Sequence, residues 1–195
     1  MSQGPPARQA ILDAARLQLE RRSPNEISME GVAMQAGFSR QAVYRHFGSR
    51  AGLLSALLAD IDEVEGARSS VEQVLAAGTG AECVERLFAW WVDYVPRFVG
   101  IARGVLAAKR EDADLRAAWD DRMRALHAVC QAVVERCDAD RTLAAGQPPG
   151  EASEMLWALL SVPLWIQLRE DAGWTEEQYR RRMAAMALAA LKTSP

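Results

Sequence analysis

A short polar segment near the N-terminus has side chains suited to reading nucleic-acid bases. Arg40 and Gln41 are adjacent, and Tyr44, Arg45 and His46 follow within the next turns of a predicted helix. Arginine and glutamine form paired hydrogen bonds with guanine and adenine edges in the major groove, whereas tyrosine and histidine can contact phosphate oxygens. This pattern favours a helix that enters a DNA groove with its first turn. The alternative is a helical hairpin with a solvated basic face.

Two short helices are predicted to position this segment. Ser28 is expected to cap a helix that ends at Gly37, since glycine adopts a left-handed conformation at little steric cost. Ser39 is expected to cap the next helix, which buries Val43 and Phe47 at i, i+4 spacing. The tight turn between the helices leaves the polar side chains on the outside.

The segment from Ala36 to Leu54 resembles the signature of TetR-family transcriptional regulators. The matching residues are Ala36-Gly-Phe-Ser39, Tyr44-x-His46-Phe47 and the Leu53-Leu54 pair. The resemblance covers roughly residues 8–61 and departs from the usual pattern at Leu19, where Phe is frequent, and at Ser23, where Gly is frequent. It implies an all-α fold, with an N-terminal three-helix DNA-binding domain and a C-terminal helical bundle, in a homodimer that binds an operator and a small-molecule inducer.

Nine side chains of the helix-turn-helix and its flanks are predicted to contact DNA. Those at Ser49 and Arg50 are expected near the phosphate backbone. The full set is Ser28, Ser39, Arg40, Gln41, Tyr44, Arg45, His46, Ser49 and Arg50.

The charge distribution agrees with a DNA-binding N-terminus. The 195-residue chain is 50% hydrophobic and 25% charged, as is usual for a globular protein, and its net charge is −3. Of its 23 basic and 26 acidic residues, seven and five lie in residues 1–60, which leaves 16 and 21 for the remainder. The positive end therefore carries the motif, as phosphate binding requires.

The sequence contains no signal for a disulfide framework, a metal site or a membrane span. Cys83, Cys130 and Cys137 have no paired spacing and are predicted to be buried thiols in a reducing cytosol. A redox pair of Cys130 and Cys137 is the alternative, although two helical turns separate them. No segment reaches the ~20 apolar residues that cross a bilayer, and no cluster of His, Asp and Glu suggests a metal. We therefore expect a cytoplasmic protein without metal or cofactor.

Helical periodicity predicts about nine helices in two domains, 1–48 and 49–195. Pro96 is expected to kink or end one of them, Asp114 to cap the helix that follows, and Thr175 and Gln178 to form a capping box. The predicted helices after the helix-turn-helix are 49 to about 77, 81–98, 101–109, 115 to about 137, 152–169 and a last one from 175. The first of these is expected to link the two domains.

The penultimate predicted helix indicates a dimer. Residues 152–169 are apolar on nearly every side, so this helix must be covered on every side, and a second copy of the chain is the economical cover. We expect a two-fold dimer through the last two helices. Two copies then read half-sites roughly 34–36 Å apart, or a multiple of that distance, on a near-palindromic operator.

The C-terminal region is larger than dimerisation requires, and the family resemblance implies that it binds a small inducer. An aromatic lining would suit a flat apolar or cationic compound. The candidate lining residues are Trp90, Trp91, Tyr94, Phe98, Trp119, Met123, His127, Trp157 and Trp165. The expected function is a repressor released from its operator by a small aromatic or apolar inducer. One alternative is a constitutive dimeric repressor in which these aromatics form a solid core. Another, disfavoured for want of a titratable cluster, is a helical enzyme or small-molecule carrier.

Overall fold

The computed structural model of the chain describes residues 7–21, 27–64 and 67–192. All regular structure in these residues is helical, which confirms the predicted all-α fold. The helices are α1 (Ala7–Arg21), α2 (Met29–Ala36), α3 (Arg40–Phe47), α4 (Arg50–Val64), α5 (Ala67–Leu75), α6 (Gly80–Ala108), α7 (Ala113–Ala139), α8 (Pro149–Leu159), α9 (Val162–Ile166), a π-helical turn (Gln167–Asp171) and α10 (Glu176–Lys192).

The described helices form two packing units. One contains α1–α4 together with residues 100–123, and the other contains residues 67–99 and 124–192. Helices α6 and α7 each contribute residues to both units, so neither unit is a continuous segment. The predicted domain division at residues 48 and 49 stays a prediction.

The core of the first unit includes an apolar stripe of α1. The helical spacing of Ile11, Leu12, Ala15 and Leu19 predicts that they share one side of this helix, and all four are buried. The sequence also predicts a polar arm at residues 1–6 and a helix break at residues 23–25, both of which lie outside the described residues.

Helix α6 is continuous where the sequence predicted two helices. Pro96 lies inside it, although proline lacks an N–H group and its ring crowds the preceding turn, at a typical cost of about 3 kcal/mol. Val95 and Phe98 are buried beside it, and the apolar stripe continues through Ala102 and Val105. Burial of this stripe on both sides of the proline offsets the lost hydrogen bond.

Helix α7 is capped by a different aspartate from the one predicted. The side chain of Asp112 accepts a hydrogen bond from the backbone N–H of Leu115 at 3.1 Å, whereas Asp114 lies within the first turn of the helix. The helix therefore begins two residues earlier than expected. Helical spacing predicts an apolar stripe along α7, and its members are buried except for Met123, which is half-buried: Trp119, Met123, Leu126, Cys130, Val133 and Cys137.

The predicted helix 152–169 is wrong as a single element. Pro163 has no N–H to donate to the carbonyl of Leu159, which receives the Tyr179 hydroxyl at 3.5 Å instead. Helix α8 therefore ends at Leu159, and Ser161 caps α9 by accepting the Leu164 N–H at 3.3 Å. This break is offset in number by α6, which merges the two helices predicted over 81–98 and 101–109. Continuity between α4 and α5 falls on residues 65 and 66, outside the described residues.

The capping box of the last helix is confirmed. The N–H of Gln178 donates to the Thr175 hydroxyl at 3.1 Å, and the N–H of Thr175 donates to the Gln178 side chain at 2.8 Å. Two donors that the helix end would leave unpaired are thereby satisfied.

Candidate nucleic-acid interface and ligand pocket

The turn between α2 and α3 has the predicted helix-turn-helix geometry. The Ser28 hydroxyl accepts the N–H of Gly31 at 3.0 Å, and the Ser39 hydroxyl accepts that of Ala42 at 3.2 Å. Gly37 ends α2 with φ 74° and ψ 24°, a left-handed conformation that residues with a Cβ rarely adopt. These short-range interactions fix where α3 begins.

Helix α3 exposes all five of its predicted DNA-facing side chains. Arg40, Gln41, Tyr44, Arg45 and His46 are exposed, whereas Ala42 and Val43 on the opposite side are buried. The first turn of α3 contains no acidic residue. The exposed side of the helix therefore offers hydrogen-bond donors and positive charge, with no acidic residue in its own first turn.

Arg40 and Tyr44 lie one turn apart and support each other. An Nη2 atom of Arg40 donates to the Tyr44 hydroxyl at 3.4 Å, and its guanidinium lies 5.4 Å from the centre of the phenol ring. The hydrogen bond with Tyr44 raises the pKa of Arg40, so the arginine stays charged. A fork of donors is thus held at the first turn of α3, where helix-turn-helix proteins contact bases.

Arg50 lies differently from the other predicted DNA contacts. Its Nε donates to the carbonyl of Ile27 at 2.6 Å and its Nη1 to the carboxylate of Asp112 at 2.8 Å, with Asp114 at 3.6 Å. Arg50 is partly buried and binds within the first unit. Its phosphate contact stays a prediction, while the structure gives it a positioning role. Ser49 is exposed and caps α4 by accepting the N–H of Gly52 at 3.1 Å.

The nine predicted ligand residues fall into separate groups. Trp90, Trp91, Tyr94 and Phe98 form an aromatic row along α6, with ring centroids of neighbouring pairs 4.8–6.4 Å apart. In the same unit, the ring centroids of His127 and Trp157 lie 5.4 Å apart, and Trp165 packs edge-on against Tyr179 with ring centroids 4.7 Å apart. Trp119 and Met123 belong to the first unit. Of these nine residues, Trp90 and Tyr94 line a pocket in the second unit.

That pocket lies between α5 and α6 in the second unit and has a volume of about 400 Å³. Sequence reasoning found its aromatic residues and missed its charged ones. The signal was present, because positions 86, 90, 93, 94 and 97 recur at helical spacing on one side of α6. The pocket lining includes Gln73, Arg86, Trp90, Asp93, Tyr94 and Arg97.

The described residues contain neither a cluster of metal ligands nor a membrane-spanning helix. Within residues 7–21, 27–64 and 67–192, no three His, Cys, Asp or Glu side chains are grouped as metal ligands would be. No helix in the same ranges has the length and hydropathy of a membrane span.

The fold and the α2–α3 geometry together define a DNA-binding protein of the helix-turn-helix class. Residues 11–57 match the family model described as bacterial regulatory proteins, tetR family. The matched residues run from α1 into α4, so this segment is a DNA-binding domain of the kind found in TetR-family transcriptional regulators. No curated protein matches the chain by sequence.

Solved structures share the fold along nearly the whole chain. A putative TetR-family regulator from Rhodococcus sp. is 19% identical, with 96% of this chain and 98% of that chain covered and a TM-score of 0.72. NalD, the secondary repressor of the MexAB-OprM multidrug efflux pump in Pseudomonas aeruginosa, is 20% identical, with 96% of each chain covered and a TM-score of 0.64. FadR from Bacillus subtilis, solved in complex with stearoyl-CoA, is 13% identical, with 93% of this chain and 97% of that chain covered and a TM-score of 0.69.

Proposed function

We propose that the protein is a homodimeric repressor that binds a near-palindromic operator and is released by a small molecule. The observation that carries the DNA-reading half is the exposed Arg40–Gln41 pair in the first turn of a helix fixed by the Ser39 cap and the Gly37 turn. NalD, which shares the fold, is a repressor, and FadR was solved with an acyl-CoA ligand. The cytoplasm, expected from the sequence, is the compartment in which we place this activity.

In this proposal each side chain of α3 has a distinct role. Arg40 and Gln41 contact base edges, while Tyr44, Arg45 and His46 contact phosphates and orient the helix. Ser28, Ser39 and Ser49 lie at helix starts, where exposed backbone N–H groups favour phosphate oxygens.

Release requires that the ligand bind one arrangement of the protein more tightly than the other, with a typical coupling of about 1–3 kcal/mol. Helix α6 carries ligand-pocket residues at 86–97 in one unit and continues into the other unit from residue 100. It is the element through which we propose that occupancy of the pocket changes the DNA-reading unit.

The dimer is proposed to form through α8–α10, where apolar side chains are incompletely covered by the chain itself. Met186 on α10 is 53% exposed, and several side chains of the preceding segment are half-buried. These half-buried residues are Met155, Leu159, Leu164, Ile166 and Leu168. Trp165, by contrast, is buried against Tyr179, so its substitution tests folding and not association.

Selection of bound duplexes from a random pool tests the DNA-reading half. We expect an inverted repeat, and Arg40→Ala should cost about 1–3 kcal/mol on it and relax the preference at one position per half-site. A purified protein that retains no duplex, even at low salt, would contradict the proposal. If Arg40→Ala instead weakened binding to all DNA sequences equally, Arg40 would be a phosphate contact and not a base reader.

Analytical ultracentrifugation tests the dimer. Met186→Asp should shift the protein towards monomer, because a charge in an apolar interface is costly to desolvate. Met34→Asp is the matched control, since Met34 is 82% exposed on α2 and lies outside the proposed interface. If the Met186→Asp variant is as dimeric as this control, the dimer interface lies elsewhere.

A further inference from the structure

The pocket between α5 and α6 has an aromatic wall. The rings of Trp90 and Tyr94 stack with centroids 5.0 Å apart and planes inclined by 14°. Tyr94 is buried, whereas Trp90 is half-buried and lines the pocket. A planar ligand can therefore continue the stack on Trp90 in the offset geometry that aromatic rings prefer. The volume of about 400 Å³ lies within the range of small-molecule sites.

The charged side chains of the pocket give it a positive balance. Arg86 and Arg97 line it together with one carboxylate, Asp93. Hydrogen bonding to Glu177 chiefly raises the pKa of Arg180 on α10, and Asp93 adds a smaller contribution of the same sign. Asp93 therefore lies within electrostatic range of Arg180, which is not part of the pocket lining. This balance disfavours the cationic ligand that the aromatic residues alone had suggested.

Arg86 is the cation best placed to take a ligand anion. Its Nη1 donates to the backbone carbonyl of Gln73 at 3.2 Å, a neutral acceptor that orients the guanidinium without neutralising it. Among the described residues it forms no ion pair with a carboxylate. A guanidinium held in this way can bind a carboxylate through two parallel hydrogen bonds.

We propose that this pocket binds a planar aromatic anion, with the ring stacked on Trp90 and the anionic group bound by Arg86. The claim that this anion is the release signal rests on the function proposed above. The claim that the pocket binds it does not. The ligand class is one to three fused rings bearing a single carboxylate or equivalent group, in line with the size of the pocket.

Isothermal titration of the full-length protein with matched probes tests the ligand class. Benzoate, 2-naphthoate and anthracene-2-carboxylate are each compared with the neutral carboxamide and the trimethylammonium analogue of the same ring system. We expect at least one carboxylate to bind about tenfold more tightly than its carboxamide, and the cation to bind more weakly than either. Equal affinity of all three analogues, preference for the cation, or no binding of any carboxylate overturns the proposal.

Variants of the pocket separate recognition of the anion from a structural effect. Arg86→Gln should remove the preference for the carboxylate while the carboxamide affinity stays the same, and Arg86→Lys should keep most of the preference. Arg181→Gln, which removes an exposed arginine of α10 outside the pocket lining, should bind as the unmodified protein does. Equal loss of carboxylate and carboxamide after Arg86→Gln shows that Arg86 only supports the pocket, and overturns its assigned role.

Stacking on Trp90 has its own test. Trp90→Leu should weaken the carboxylate and the carboxamide by a similar factor of about ten, since a stacked aromatic pair is lost for both. Trp90→Phe should recover part of that loss. If Trp90→Leu changes neither affinity, the ligand binds elsewhere and the proposal falls.

Adding the best carboxylate to the protein on its selected operator distinguishes the two proposals. Binding without any change in operator affinity leaves the pocket assignment intact and contradicts the release mechanism. Operator binding with no carboxylate bound contradicts the pocket assignment and leaves DNA reading intact.

Discussion

Ion pairs span different distances along the chain in the two packing units. In the first, ion pairs join residues far apart in the chain: Arg16 with Asp60, Arg50 with Asp112 and Arg122 with Asp62, at 3.7, 2.8 and 2.8 Å. In the second, ring contacts join the helices, as between Trp165 and Tyr179, and ion pairs such as Arg180 with Glu177 lie within one turn. Directional polar contacts between distant residues therefore fix the orientation of the helices in the DNA-binding unit.

Helix α4 forms polar contacts along its whole length within the first unit. Along this helix, Arg50, Ser55 and Asp62 contact Asp112, Asp121 and Arg122 in turn. The helix that follows α3 is therefore tied at its start, middle and end to residues 112–122. An orientation set at three points resists rotation more than one set at a single point.

The largest expected effect is on the aromatic packing of the second unit. Trp91 is 1% exposed, so Trp91→Ala should lower the free energy of unfolding by about 3–5 kcal/mol, through lost burial and the cavity left behind. Urea unfolding measures this. Trp90→Ala, at a half-buried position on the same helix, should cost clearly less, and equal costs would mean that the ring row is not a core.

A matched pair of glycines separates strain from function. A Cβ on Gly52 in α4 would lie 2.1 Å from the Phe47 carbonyl oxygen, and one on Gly80 in α6 would lie 2.5 Å from the Cys137 Cα. Gly52→Ala and Gly80→Ala should each cost about 1–3 kcal/mol of stability. Only Gly52→Ala moves the end of α3, so it alone should weaken operator binding at temperatures where both variants stay folded. Equal operator loss in a filter-binding titration would break the proposed contrast between the units.

The Arg50 contacts decide whether this residue positions or binds DNA. A double-mutant cycle of Arg50→Ala and Asp112→Ala should give a coupling of about 1 kcal/mol in urea unfolding, because the pair is partly shielded from solvent. The dependence of operator affinity on salt should keep its slope in Arg50→Ala. A slope lower by about one unit would instead support a phosphate contact.

The smallest expected effect concerns the capping box of α10. Gln178→Ala should cost about 0.5 kcal/mol, because its side chain satisfies one backbone donor at an exposed helix end. Thr175→Ala should cost somewhat more, since the threonine is the N-cap itself. Thermal melting resolves both changes, and a loss of several kcal/mol from either would show that α10 depends on its end more than on its buried stripe.

Local signals in the sequence predicted the helix-turn-helix well. The Ser28 and Ser39 caps, the Gly37 turn and the Thr175–Gln178 box each depend on residues three or fewer positions apart, where sequence spacing fixes geometry. The exposure of the α3 side chains followed from the same spacing.

Errors arose where distant residues decide the local structure. Pro96, predicted to kink or end its helix, is accommodated because the buried stripe of α6 continues on both sides. The phosphate contact of Arg50 stays a prediction, but its ion pair with Asp112, 62 positions away in sequence, could not have been predicted. Neither fact is contained in a short window of residues. The charged residues of the pocket between α5 and α6 were not predicted for another reason. The predicted lining included only aromatic residues, Met123 and His127, although Arg86 and Arg97 lie on the same side of the helix as Trp90 and Tyr94.

The burial of all three cysteines has a practical consequence for spectroscopy. Cys83, Cys130 and Cys137 are fully covered, and burial raises the pKa of the Cys130 and Cys137 thiols to about 12, so both stay protonated and unreactive towards maleimides at neutral pH. A single cysteine introduced on an exposed surface would thus take up a fluorophore or spin label selectively, with the native thiols left in place. In the proposed dimer, the distance between the two labels could then be followed as DNA and candidate effectors are added.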